Sequence, residues 1–359
     1  MRLLRALPPT HPLAATLIGI RDRLRARPEV GPLEPSERAD GKTALVVGAS
    51  SGLGFASAVE LARRGARVLM ADCRDGARAA ERATKLAQSP RVESLHVELS
   101  DLDSVAELCR SLGQRATTLD LVVLCAAIVP TEQRRTRQGL DEMFVVNYLS
   151  SFALLRGLLR AGVVRSRAFA PEAPEAPERT HRPRIVLVSS EAHRWPPDID
   201  LDAVGRPEPS SVREVLTRYA SYKLMLTTMA QELDRRLNAA GRADVGVFAL
   251  CPGAMNTNII REVPAPARAL LRLGMRLFFQ DPFHASRPVL YLACSRALEH
   301  ESGVYLHGMT RKPVDPRAAA PELGRGLWER SEALLEARLE AHGPHAPAGA
   351  RAAAAWEVA

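Results

Sequence analysis

The sequence predicts an α/β protein built on a Rossmann-type, doubly wound parallel sheet of about seven strands with helices on both faces. Three observations predict it. From Gly41 onward, short apolar runs alternate with stretches of helical spacing. The runs are apolar throughout rather than every second residue, as expected of strands covered on both faces. A glycine turn, Gly48-Ala-Ser-Ser-Gly-Leu-Gly54, joins the first apolar run to the first helical stretch.

Taken in order, residues 1–40 read as an extension and linker. Leu17 to Leu24 has the spacing of a short basic amphipathic helix, and Pro28 to Pro35 that of a linker. The extension is read first as a docked tail and second as a membrane-surface anchor. One domain then spans 41–342. Its expected strands are Thr43–Val47, Arg67–Asp72, Val92–Glu98, Leu119–Cys125, Ile185–Ser189, Val245–Leu250 and Val304–Leu306. The expected helices begin with Phe55–Arg64, Ala79–Gln88, Leu102–Leu112 and one long Leu140–Leu159. Val212–Leu237, Ala265–Phe279, His284–Ala297 and Pro321–Ala341 follow. Phe169–Arg184, rich in Pro, Glu and Ala, reads as a surface insertion, and 343–359 as a disordered tail.

Composition narrows the function. The 359 residues are 46% hydrophobic and 25% charged, enough for one large core. The net charge of +8 is spread among Ala, Glu and Asp rather than clustered, and aromatics are only 4%. That favours contact with acidic or lipid surfaces over a nucleic-acid site. The five cysteines are far apart, and no pair has metal-ligand spacing, which argues for a reducing compartment and against a zinc site. No apolar run reads as a membrane span, and no signal peptide is evident.

A strand, a tight glycine turn and a helix make a phosphate cradle, because glycines let the backbone approach a pyrophosphate and the helix offers free N–H groups. No Lys-Ser/Thr follows the last glycine, so it is not a P-loop. Asp72, about 18 residues on, ends the second strand, where a carboxylate can accept from an adenosine ribose; a plain strand-end Asp is the bland alternative. Tyr219 and Lys223 share a helix face, and an ammonium there lowers a phenol toward the working range. Tyr222 faces elsewhere and is the weaker candidate. Ser189 and Ser190 end the fifth strand, at the edge where doubly wound sheets bind ligands. Asn147 sits inside an apolar helix, where Asn is locally unfavourable; a buried bond to backbone is the ordinary reason.

With those residues on the page, the chain from about Gly41 to Ala341 resembles the short-chain dehydrogenase/reductase family. The resemblance rests on Gly48-x-x-x-Gly52-x-Gly54, Asn147, Ser190, Tyr219-x-x-x-Lys223 and Pro252-Gly253-x-x-x-Thr257, in the family's order and spacing. Arg184-Ile-Val-Leu-Val-Ser-Ser-Glu-Ala-His193, Ser302-Gly-Val-Tyr305, Pro316-Arg317 and Leu327-Trp328 are similar to its retinol-dehydrogenase-like members.

The resemblance implies an NAD(P)-dependent enzyme interconverting an alcohol and a carbonyl. Tyr219 would be the acid/base, Lys223 its tuner and a ribose ligand, Ser190 the holder of the substrate oxygen, and Asn147 part of a water relay. Gly48, Ser50, Ser51, Gly52, Leu53, Gly54, Asp72, Cys73, Arg74, Glu98, Leu99, Ala126, Pro252, Gly253 and Thr257 would contact cofactor. Asp72 favours NAD(H), and Arg74 leaves NADP(H) open. A lid over about 258–283, with Phe278 and Phe279, and Trp195 after Ser190 would face a bulky apolar substrate. The expectations extend to no metal, no nucleic-acid partner, a homodimer, peripheral membrane contact and a cytoplasmic location. The family's Asn-Asn-Ala-Gly is here Leu124-Cys-Ala-Ala127, a departure that favours the alternative of a catalytically idle dinucleotide-binding or interaction protein, while the intact Ser190, Tyr219, Lys223 and Asn147 set argues more strongly for an enzyme.

Overall fold

β1 (Thr43–Val47) is an interior strand of the sheet, and its side chains divide between the two halves of the core. Leu45 and Val47 join one apolar cluster while Ala44 and Val46 join another, the alternation a pleated strand imposes. The structure is a computed structural model; it describes residues 30–169, 181–206, 212–239, 244–253 and 281–341.

The chain continues through α1 (Gly52–Arg63), β2 (Arg67–Asp72), α2 (Gly76–Ala87), β3 (Val92–His96), α3 (Leu102–Gln114) and β4 (Leu121–Leu124). Then come a short α4 (Glu142–Phe144), a π-helical turn at Val145–Leu149, α5 (Ser150–Arg160) and β5 (Arg184–Val188). A 3₁₀ turn at Glu191–Arg194 leads to α6 (Val212–Leu237) and β6 (Gly246–Cys251). The rest is α7 (Pro282–Ala285), α8 (Arg287–Cys294), β7 (Val304–His307), β8 (Thr310–Arg311), α9 (Pro316–Ala319) and α10 (Pro321–Ala341).

The sheet order is β3-β2-β1-β4-β5-β6-β7-β8, parallel except for the last antiparallel pair, so eight strands stand where about seven were expected. The added β8 is two residues long and hairpins back from β7. The order reverses between β1 and β4, and a ligand crevice is expected at their carboxyl ends.

Three sequence expectations change. The single helix expected at Leu140–Leu159 is broken. Asp141 caps its start by accepting from the Phe144 N–H at 2.7 Å, and a π turn interrupts it around Asn147. Glu142–Arg160 is also, by length and composition, a stretch of 19 residues able to cross a membrane, contrary to the sequence reading. It is 89% buried within the protein, which makes it a core helix. Last, the described part of the piece read as a linker, from Val30, is docked on the domain together with residues 36–40, in keeping with the docked-tail reading of the extension. Val30 N–H donates to Met309 O at 2.7 Å, Ala39 is buried, and Glu37 accepts from Ser295 Oγ and the Arg296 N–H.

Candidate active site

The glycine turn shows why its residues must be glycine. Gly48 has φ of 78°, and a Cβ there would lie 2.8 Å from the Ala126 backbone. A Cβ on Gly54 would meet Gly48 O at 2.2 Å, so α1 can start this close to β1 only without one. Gly52, with φ of 57°, faces open space instead. Ser51 at the N-cap of α1 makes no side-chain bond, so the first-turn amides have no side-chain cap. An open floor under uncapped amides suits a pyrophosphate, and on that ground the residues present fit a dinucleotide.

Asp72 braces this cradle. Its Oδ2 accepts from the Ser50 N–H at 3.0 Å, and its Oδ1 accepts from the Cys73 and Arg74 N–H groups at 2.9 and 3.3 Å. The carboxylate expected for a ribose thus also ties the turn to the end of β2. Glu98 lies across the cleft, with Oε1 accepting from Ser100 N–H and Oγ, so that carboxylate is turned back onto its own loop.

A cavity of about 440 Å³ runs from this cradle to the far side of the sheet edge. Gly48, Ser50, Ser51, Gly52, Leu53, Gly54, Asp72, Cys73, Arg74, Glu98, Leu99, Ala126, Pro252 and Gly253 all line it, as do Ser190, Tyr219 and Lys223. The expected dinucleotide contacts and three of the four expected catalytic residues therefore share one space. Thr257, Phe278, Phe279 and most of the lid lie outside the described residues. Trp195, half-buried after the 3₁₀ turn, is not among the residues lining the cavity.

Both serines line the cavity, but their side chains have different partners. Ser189 is buried, bonded to Thr227 Oγ1 at 2.7 Å and donating to Lys223 O at 3.3 Å. Ser190 borders the cavity, accepts from the Ala192 N–H and hydrogen-bonds Tyr219. Its carbonyl is held by His193, whose Nδ1 lies at 2.6 Å while Nε2 accepts from the Asp315 N–H at 3.2 Å. Those partners assign the proton to Nδ1. Burial pushes His193 down to about 4, so the ring is neutral and its roles stay constant around neutral pH.

Lys223 is buried and donates to Val188 O at 2.8 Å, with its ammonium 5.7 Å from the centroid of the Tyr219 ring. Burial lowers it to about 8. Tyr219 differs from the expectation of a lowered phenol: burial raises it, and the bond to Ser190 only partly offsets that. The ammonium is engaged by the Val188 carbonyl rather than by the phenol, so Tyr219 is neutral in this form.

Asn147 does not line the cavity. Its Oδ1 accepts from the Ile128 N–H and its Nδ2 donates to Ile128 O, both at 2.8 Å. This clasp holds the loop after β4, where Ala126 to Val129 wall the cavity. The sequence reading also passed over Ile128, Val129 and Val146, which make that wall apolar. They lie outside any motif, and no spacing signal marks them.

The fold and this constellation define a dinucleotide-binding oxidoreductase. The short chain dehydrogenase family model matches residues 42–195. The chain is 33% identical over 310 residues to retinol dehydrogenase 14 of Mus musculus, covering 82% of this chain and 86% of the relative. It is 33% identical over 298 residues to dehydrogenase/reductase SDR family member 13 of Homo sapiens, covering 82% and 73%. A solved structure of an uncharacterized protein from Mycobacterium Paratuberculosis superposes with a TM-score of 0.60 at 28% identity, covering 83% and 94%. The chain belongs to the short-chain dehydrogenase/reductase family, in its retinol-dehydrogenase-like branch, and is an NAD(P)-dependent oxidoreductase.

Proposed function

We propose that this protein interconverts a bulky apolar alcohol and its carbonyl, with NAD(H) as the preferred cofactor and Tyr219 as the acid/base. The observation that carries the reading is the single cavity shared by the Gly48–Gly54 cradle, Asp72, Ser190, Tyr219 and Lys223. The bound dinucleotide would accept or deliver hydride. The chain's part is to hold the substrate and move a proton. Ser190 Oγ hydrogen-bonds the substrate oxygen beside Tyr219. The neutral phenol donates its proton to that oxygen in carbonyl reduction, and its ionised form, the phenolate, takes one from the alcohol in oxidation. Lys223, its ammonium 5.7 Å from the ring centroid, stabilises the phenolate that donation leaves.

The apolar substrate class is supported by the wall of Ile128, Val129, Val146 and Val188, and by likeness to proteins named as retinol dehydrogenases. The test is a series of alcohols of rising chain length with either cofactor, followed at the reduced-nicotinamide absorbance. Rising kcat/KM with apolar size supports the reading. Best activity on small polar alcohols contradicts the substrate class, and no turnover across alcohols and ketones favours an idle binding protein.

A further inference from the structure

The catalytic helix and the helix carrying Asn147 meet at one buried carboxylate. Asp141 caps the start of α4, with Oδ1 accepting from the Phe144 N–H at 2.7 Å. The same oxygen accepts from the Tyr222 hydroxyl at 3.3 Å, and Oδ2 lies 3.5 Å from Arg218 Nη1. Its side chain is 4% exposed, so these contacts are made with water largely excluded. Arg218 and Tyr222 are four apart on α6 and share a face; Tyr219 and Lys223 occupy the adjoining one. The Tyr222 ring packs edge-on against Phe144, with centroids 5.6 Å apart, which seats its hydroxyl at Asp141. Six residues past Asp141, Asn147 clasps Ile128 on the cavity wall. The carboxylate thus ties the helix that positions the wall to the helix that positions the phenol.

We propose that Asp141, acting through Tyr222, is a positioning residue for the reaction: it sets the rotation and depth of α6 so that Tyr219 meets Ser190. This inference rests on Tyr219 being the acid/base. Asp141 does not line the cavity, and neither do Phe144, Arg218 and Tyr222, the partners of its carboxylate. A positioning error of about 1 Å at a reacting group can cost on the order of 10²-fold in rate. A hydroxyl and a carboxylate acting on the same helix should show strongly non-additive effects.

The experiment compares wild type, Tyr222→Phe, Asp141→Asn, the double variant and Tyr219→Phe, measuring kcat, KM, NADH affinity and Tm for each. Asp141→Asn keeps an N-cap acceptor, so α4 still starts where it does. Each single variant is expected to lower kcat roughly five- to fifty-fold, with NADH affinity and KM within about twofold of wild type and the double variant no worse than the poorer single one. A loss of Tm with kcat unchanged in both singles, or additive losses in the double variant, overturns the proposal. Should Asp141→Asn fail to fold, Tyr222→Phe decides alone: unchanged kcat overturns it. Turnover retained in Tyr219→Phe removes the underlying reading instead, so the two failures are told apart.

Discussion

The ammonium of Lys223 faces the Tyr219 ring at 5.7 Å while its hydrogen bond goes to the Val188 carbonyl at 2.8 Å. The phenol therefore keeps its proton, and burial pushes its ionisation above the ordinary tyrosine range. A neutral Tyr219 is ready to donate but must first ionise to accept. Carbonyl reduction is expected to be nearly flat from about pH 6 to 7 and to fall as Lys223 loses its proton at about pH 8, and alcohol oxidation to climb with pH from about 6 as the phenol ionises more readily. Initial rates in both directions at constant ionic strength check this; oxidation that peaks below pH 7 contradicts it.

Lys223 itself weakens the cofactor-free fold. Its folded-state value of about 8 lies below the ordinary 10.5, so the folded chain binds its proton less tightly than the unfolded one. The penalty is full below about pH 8, roughly 3 kcal/mol, and fades as pH rises from there toward 10.5. Lys223→Met loses the Val188 bond, worth about 1 kcal/mol. It is still expected to unfold at higher denaturant at pH 7 while losing turnover. Urea melts of both proteins at pH 7 and 9.5 measure it, with the gap narrowing at the higher pH.

Ser189 and Ser190 have different partners, and their alanine variants should differ in kind. Ser190→Ala removes the hydroxyl beside Tyr219, and kcat is expected to fall on the order of 10²-fold with little change in Tm. Ser189→Ala leaves Thr227 without its 2.7 Å partner. It is expected to cost about 1 kcal/mol of stability while kcat stays within a few-fold. Parallel kinetics and thermal melts separate the two.

That distinction shows where sequence reading stops. The parallel sheet was legible because β1, β4, β5 and β6 are apolar at nearly every position, and the cradle because Gly48 and Gly54 have no room for a Cβ. Helical spacing made it legible that Tyr219 and Lys223 share a face, while their candidate roles came from the resemblance of the whole motif set to the family. What spacing could not convey is contact between distant segments. A buried bond to backbone was the ordinary reason for Asn147, but that the backbone is Ile128, 19 residues upstream, could not be read from spacing. Asp141 looked like part of a helix because capping by an Asp is visible only once the Phe144 N–H is placed. Ser189 and Ser190 are neighbours in sequence and both line the cavity, and only the structure shows that Ser189 is held by Thr227 and the Lys223 carbonyl while Ser190 lies beside Tyr219.

Asp72 bears on cofactor choice. A carboxylate at the end of β2 repels a 2′-phosphate and accepts from a free 2′-hydroxyl, and Arg74 lines the same cavity. NADH is expected to bind at least about tenfold more tightly than NADPH, and Asp72→Ala to narrow or reverse the gap. The variant also removes the acceptor of the Ser50, Cys73 and Arg74 N–H groups, so weaker binding of both cofactors accompanies the change. Fluorescence titration with both nucleotides reads it; tighter NADPH binding by the wild type contradicts the assignment.

The central claim is that Tyr219 moves the proton. Its most direct test is the turnover of Tyr219→Phe on the best alcohol or ketone, with NADH affinity measured on the same preparation. The account predicts a loss of about 10²–10⁴ in kcat with NADH binding within about twofold of wild type, since the phenol hydroxyl bonds Ser190 and the ring alone packs. Turnover within a few-fold of wild type, with binding equally intact, would contradict it.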